Sequence, residues 1–313
     1  MFMVKFLIIG DLHGHQPKIH FKDFDAIIAP GDFCSDQGTR KYKDQWVRSL
    51  KKNKRLSLGQ YIEQHLTKKQ LKKIDQDSLR VGRSILRFLN SFGKPVFLLP
   101  GNWDQSFANV EEPEHMRKIS TELMRRHRLF SAKKTNPFLT KGLKHLRDCQ
   151  FQSHTFGGLQ ILGYGLNMVP EIPVVGTSYF KRIVKKKKLT KQDWKKVLHS
   201  YEKLFGQLTR LLDDRKLPIL FLSHNMPFNT KFDKIKAPGS EMHGEHYGSV
   251  IARDFILKYK PLVSVGGHMH EYFGKIRLGK TVVINAGFGA KVNTLLEINE
   301  GKITSIKFYP KPY

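Results

Sequence analysis

Two histidines one residue apart, His268 and His270, close the segment PLVSVGGHMH at residues 261–270. The apolar run before them (Leu262, Val263, Val265) reads as a strand, and alternate side chains on extended chain share a face, so both imidazoles can point toward a metal ion. The glycines between let backbone come close to a bound group. Four other apolar runs end in groups of matching chemistry: residues 3–9 lead to Asp11 and His13, 24–29 to Asp32, 96–99 to Asn102, and 219–222 to His224. Seven nitrogen and oxygen donors are too many for one tetrahedral zinc ion. They suit two divalent ions about 4 Å apart, a spacing that one carboxylate can bridge. The set contains no cysteine, which favours Mn²⁺, Fe or Zn²⁺.

Five strands must therefore deliver their C-terminal ends to one place, as an open α/β sheet does. Further strands are expected at 159–162 and 281–284, and residues 294–298 and 302–309 alternate like an antiparallel pair. Between them the spacing predicts helices. Ser78 reads as the cap of one whose stripe is Leu79, Ile85, Leu86 and Leu89, stopped by Gly93 and Pro95. Thr190 reads as the cap of another, with Trp194, Val197, Leu198, Tyr201, Leu204, Phe205, Leu208, Leu211 and Leu212 at helical period. A third is expected from Ser249 to Tyr259. The chain reads as one domain over 1–313. Basic insertions are expected at about 34–77, 105–150 and 166–190, the second with helix around 114–130.

The 313 residues are 40% hydrophobic, enough for a large core. The opening MFMVKFLIIG runs straight into polar DLHGH, reads as a first buried strand, and carries neither a cleavage site nor a membrane-length apolar span. No membrane partner is expected. Two distant cysteines, Cys34 and Cys149, fit a reducing, cytoplasmic setting. The formal charge is +28, and three short stretches (40–55, 115–147 and 181–196) hold 27 of the 55 basic residues against three acids. Charge gathered this way attracts polyanions and makes RNA or DNA a candidate partner, with Tyr42, Trp46 and Phe180 placed to stack on bases.

The blocks D-x-H-G (Asp11–Gly14), G-D (Gly31-Asp32), G-N-x-D (Gly101–Asp104), a strand-end His224 and G-H-x-H (Gly267–His270), in this order, resemble the calcineurin-like metallophosphoesterases. His246-Tyr247-Gly248-Ser249 and Asn285-Ala286-Gly287 are similar to further pieces of that family. The resemblance covers Val4 to about Lys307 and implies an α/β (α+β) four-layer α-β-β-α sandwich of two mixed sheets. It implies a hydrolase in which Asp11, His13 and His270 hold one metal, Asn102, His224 and His268 hold the other, and Asp32 bridges. A hydroxide between the ions would attack a phosphodiester, nucleotide or nucleic-acid phosphate.

One position departs from the pattern. Many members carry histidine where this chain has Trp103, and an indole N–H donates a hydrogen bond but transfers no proton. Trp103 and Asn225 are candidates to contact substrate. His15 and His243 are candidates to supply a proton, and Asp104, which orients the family's histidine, is the third candidate catalytic group or else fixes its loop. The alternative from a different class is a catalytically weak scaffold that binds nucleic acid or protein.

Overall fold

The computed structural model describes residues 3–49, 58–104, 138–165, 170–177, 180–181, 190–212, 217–237 and 243–312. β1 (Met3–Ile9), β2 (Ala26–Ala29), β3 (Val96–Leu98) and β4 (Leu146–Asp148) run parallel. β11 (Asn293–Asn299) pairs antiparallel with β1, and β12 (Lys302–Tyr309) with β11, giving the order β12-β11-β1-β2-β3-β4. The second sheet has the order β5-β6-β7-β8-β10-β9. Its parallel centre is β6 (Leu159–Tyr164), β7 (Ile219–Ser223), β8 (Val263–Gly266) and β10 (Thr281–Asn285). The edge strands β5 (Ser153–Phe156) and β9 (Gly274–Leu278) run antiparallel to their neighbours.

The period of two along each strand sorts side chains into layers. Phe6 and Ile8 of β1 and Ala26 and Ile28 of β2 face Ile161, Leu220, Leu222, Val263 and Val265 between the sheets. The alternate residues Leu7, Ile9, Ile27 and Ala29 face outward, onto the buried stripe Leu79, Ile85, Leu86 and Leu89 of α3 (Lys68–Asn90). On the other side, Leu162, Tyr164 and Phe221 meet α4 (Lys191–Thr209) through Leu204 and Leu208, and α5 (Val250–Tyr259) through Ile251, Phe255 and Ile256. The result is the expected four-layer sandwich of two mixed sheets. α1 (Gln37–Ser49) and α2 (Leu58–His65) lie in the first basic stretch.

The helix expected from a cap at Ser78 begins eleven residues earlier. Thr67 caps it, accepting from the Gln70 N–H while the Gln70 side chain accepts from Thr67 N–H. Ser78 sits inside the helix, and its hydroxyl donates to the Ser35 carbonyl at 2.6 Å. Thr190 caps α4 as expected, in a capping box with Asp193. Strand β4 lies within the stretch read as a 105–150 insertion, so the sheet resumes before that stretch ends. The helix expected at 114–130 and the lysine run 185–188 lie outside the described residues.

Leu86 is fully buried between α3 and the first sheet, whereas Leu198 on α4 is 37% exposed. Leu86→Ala is expected to lower unfolding free energy by about 2–5 kcal/mol. Leu198→Ala should change it by no more than about 0.5 kcal/mol. Urea denaturation of the two variants checks the layer assignment.

Candidate metal centre

The loops after β1, β2, β3, β7 and β8 meet where the two sheets end. The loops after β1, β2 and β8 are shaped by backbone that their sequence makes costly. His13, Asp32 and His268 have φ of 45°, 54° and 61°, the left-handed region that non-glycine residues avoid. Hydrogen bonds hold all three there. The His13 N–H donates to the Asp32 carbonyl at 2.7 Å. The Asp32 N–H donates to Asp104 Oδ2 at 2.7 Å, and the His268 N–H to Asp11 Oδ2 at 2.6 Å. The motif glycines are required by contact: a Cβ at Gly101 would lie 2.1 Å from Asp32 Oδ1, and one at Gly267 would lie 2.1 Å from Asp11 Oδ1.

These loops place two groups of donors side by side. In one, ligating atoms of Asp11, His13 and His270 lie within 4.8 Å of one another; in the other, those of Asp32, His224 and His268 do. His270 Nε2 is 2.8 Å from Asp11 Oδ2 and 3.1 Å from His13 Nε2. Asp32 Oδ2 lies between the groups, 3.5 Å from His13 Nε2 and 3.6 Å from His224 Nε2. The Asn102 side chain joins the second group at 2.9 Å from His224 Nε2. His224 Nδ1 lies 2.9 Å from the Pro30 carbonyl and donates to it, which aims the Nε2 lone pair inward.

Electrostatics favour cation-ready forms. Burial pulls His13 down to about 4. Burial lowers His224, and burial together with His224 holds His268 well below the usual imidazole range. Burial pushes Asp11 up, but His224, His270 and His13 outweigh it and keep the carboxyl low. Burial opposes protonation of His270, yet its hydrogen bond to Asp11 and the charge of that carboxylate raise it. Asp11 and His270 thus share a hydrogen bond whose place a metal ion would take. Two buried atoms, Asp11 Oδ1 and His13 Nδ1, have no hydrogen-bond partner among the described residues. An orphaned carboxylate oxygen on Asp11 beside the converging donor atoms of both groups fits divalent metal ions.

The remaining candidates separate. Asp104 is buried, and its carboxylate accepts from the backbone N–H groups of Asp32, Phe33, Cys34 and Gly101 at 2.7–3.0 Å. Those four bonds tie the β2 and β3 loops together. Asn225 is fully buried; its amide donates to the Tyr247 carbonyl and accepts from the Met226 N–H, which braces the loop after β7. Trp103 does border the centre, with its ring 6.2 Å from that of His13 and its backbone N–H on Asp32 Oδ1 at 2.7 Å. His15 stacks edge-on to Phe288, which also touches His270. His243 is exposed on the loop after β7.

Three carboxylates escaped the sequence reading. Asp36 is buried with Oδ2 3.9 Å from His13 Nδ1 and 3.7 Å from Arg40 Nε. Glu171 accepts from the first N–H groups of α5 and from the Ser249 and Tyr164 hydroxyls. Asp233 accepts from the N–H groups of Asn229, Thr230 and Gly248 and pairs with His246 at 2.8 Å. Glu171 and Asp233 serve backbone N–H groups, a role that leaves no periodic trace in sequence.

The sequence model of the calcineurin-like phosphoesterases matches residues 4–272. The chain belongs to that family, and is a hydrolase acting on phosphate esters. No curated protein matches it in sequence. One solved structure, 14% identical, superimposes with a TM-score of 0.54 over 97% of this chain and 98% of its own, which shows a shared fold. A dimetal phosphatase from Danio rerio is 10% identical with a TM-score of 0.44, covering 95% of this chain and 93% of its own. The protein TT1561 from Thermus thermophilus is 13% identical, also at 0.44, covering 97% and 98%.

Asp104→Ala would strand four backbone donors inside the protein. It is expected to cost about 3 kcal/mol or more, since each buried unsatisfied group costs about 1–3 kcal/mol. Chemical denaturation measures the loss; a change under about 1 kcal/mol would contradict the anchoring role.

Proposed function

We propose that the protein is a dinuclear, metal-dependent phosphoesterase acting on a phosphodiester, nucleotide or nucleic-acid phosphate. The observation that carries this reading is Asp32 Oδ2, placed 3.5 Å and 3.6 Å from an imidazole of each donor group. In this reading Asp11, His13 and His270 hold one ion, Asn102, His224 and His268 hold the other, and Asp32 serves both. Two bound divalent ions supply a nucleophilic water at neutral pH and neutralise charge on the phosphoryl oxygens; Mn²⁺, Fe and Zn²⁺ suit these donors.

The residues of the chain do the positioning. Pro30 fixes the tautomer of His224, and the Trp103 backbone N–H occupies Asp32 Oδ1 so that Oδ2 is left for the centre. The Trp103 indole can hold a phosphoryl oxygen but cannot protonate a leaving group. General acid help is worth about 10²–10⁴ in rate, so esters with acidic leaving alcohols are the favoured substrates. His15, half-buried beside Phe288, is the candidate for proton delivery.

The Mn²⁺-loaded protein is expected to hydrolyse bis-p-nitrophenyl phosphate, and to lose that activity with a chelator or in Asp32→Ala and His224→Ala. Inactivity of the loaded protein across mono- and diesters would remove the enzymatic reading.

A nucleic-acid substrate is supported by charge and by where the charge begins. α1, with exposed Arg40, starts one residue after Asp36, which lies beside His13. Tyr42 is partly committed to packing, with its ring 6.3 Å from that of His65 near the end of α2. Retention on single-stranded RNA or DNA should fall steeply with salt, since for each tenfold rise in salt log K falls by about 0.9 per phosphate neutralised on a duplex and about 0.7 on a single strand. Binding insensitive to ionic strength would argue against this substrate class.

A further inference from the structure

The Asn102 amide can take two orientations related by a half-turn, and the residues around it treat them oppositely. With the oxygen inward, it faces Asp32 Oδ2, His268 Nδ1 and His224 Nε2 at 3.2, 2.9 and 2.9 Å, while its NH₂ faces the indole Nε1 of Trp103 at 3.2 Å. Asp32 is a carboxylate, and a neutral His224 that donates from Nδ1 to Pro30 offers only a lone pair at Nε2. Acceptor therefore meets acceptor on one side, and donor meets donor on the other. With the amide turned, the NH₂ donates into the acceptor cluster and the oxygen accepts from the Trp103 indole N–H.

A cation reverses this preference, because a metal ion binds the amide oxygen and not the NH₂. The inward oxygen then leaves the NH₂ against the indole N–H, and Trp103 loses its acceptor. We propose that Trp103 is a positioning residue whose indole N–H is held by Asn102 in the metal-free protein and is released, when the adjacent metal site fills, to donate to an oxygen of the bound phosphate ester. This rests on the dinuclear reading above. It also assigns a role to the residue that departs from the family pattern: Trp103 makes substrate capture conditional on metal.

The two events are linked, so each must affect the other equally. The Asn102–Trp103 hydrogen bond stabilises the metal-free orientation only. Removing it in Trp103→Phe should tighten metal binding, by about two- to tenfold for one ordinary hydrogen bond. Asn102→Asp presents an acceptor oxygen to both sides in either orientation, so there the indole bond should survive metal binding.

The test combines titration calorimetry with ¹⁵N NMR of the three tryptophan indoles, using diamagnetic Zn²⁺, with Trp103 assigned through Trp103→Phe. The Trp103 indole resonance is expected to move as Zn²⁺ binds, to move again with inorganic phosphate only in the Zn²⁺-loaded protein, and to hold still on Zn²⁺ binding in Asn102→Asp. A Trp103 resonance that stays fixed while calorimetry shows two Zn²⁺ bound would overturn the coupling and leave the dinuclear reading standing. Unchanged Zn²⁺ affinity in Trp103→Phe would overturn it as well. Absence of Zn²⁺ binding would remove both.

Discussion

Lone pairs brought face to face at the ends of two sheets are the interaction on which this structure turns. Ligating atoms of Asp11, His13 and His270, and of Asp32, His224 and His268, lie within 4.8 Å of one another in each group, most of them buried. Gathering like groups away from water costs free energy, so something must hold them. Backbone hydrogen bonds do so. Asp104 collects four N–H groups from two loops, Asp11 fixes His268, and Asp32 fixes His13. Three donor residues sit in left-handed backbone as a consequence, and strain of this kind persists only where the surroundings over-determine it. The four layers behind the loops supply that rigidity.

The sequence showed the centre more clearly than its supports. A donor at a strand end is legible because the apolar run announces the strand and the polar residue after it stands out. Asp11, Asp32, Asn102, His224 and His268 were all found this way, and the fold brings them together. The three strands that escaped, β4, β5 and β9, are all sheet edges. Their burial is partial and alternating, as in LRD and SHTF, so the hydrophobic signal of a central strand is missing. Ser78 was misread for a related reason. A serine before an apolar stripe looks like a cap, but polar α3 residues from Lys68 onward extend the helix beyond its buried stripe. Asn225 adjoins His224 in sequence, and its amide bonds to the Tyr247 carbonyl and the Met226 N–H.

Trp103 links the family chemistry to what is particular here. Replacing an imidazole by an indole removes a proton donor and acceptor and leaves a single N–H. The indole itself cannot protonate a departing alcohol. Basic side chains begin close by, on a helix that starts at Gln37 beside the His13–Asp36 contact.

The most direct test of the central claim is anomalous diffraction from crystals grown with Mn²⁺. Two peaks about 4 Å apart, one on each side of Asp32 Oδ2, are the predicted result. Peaks remote from Asp32, or none at full Mn²⁺ supply, would contradict it.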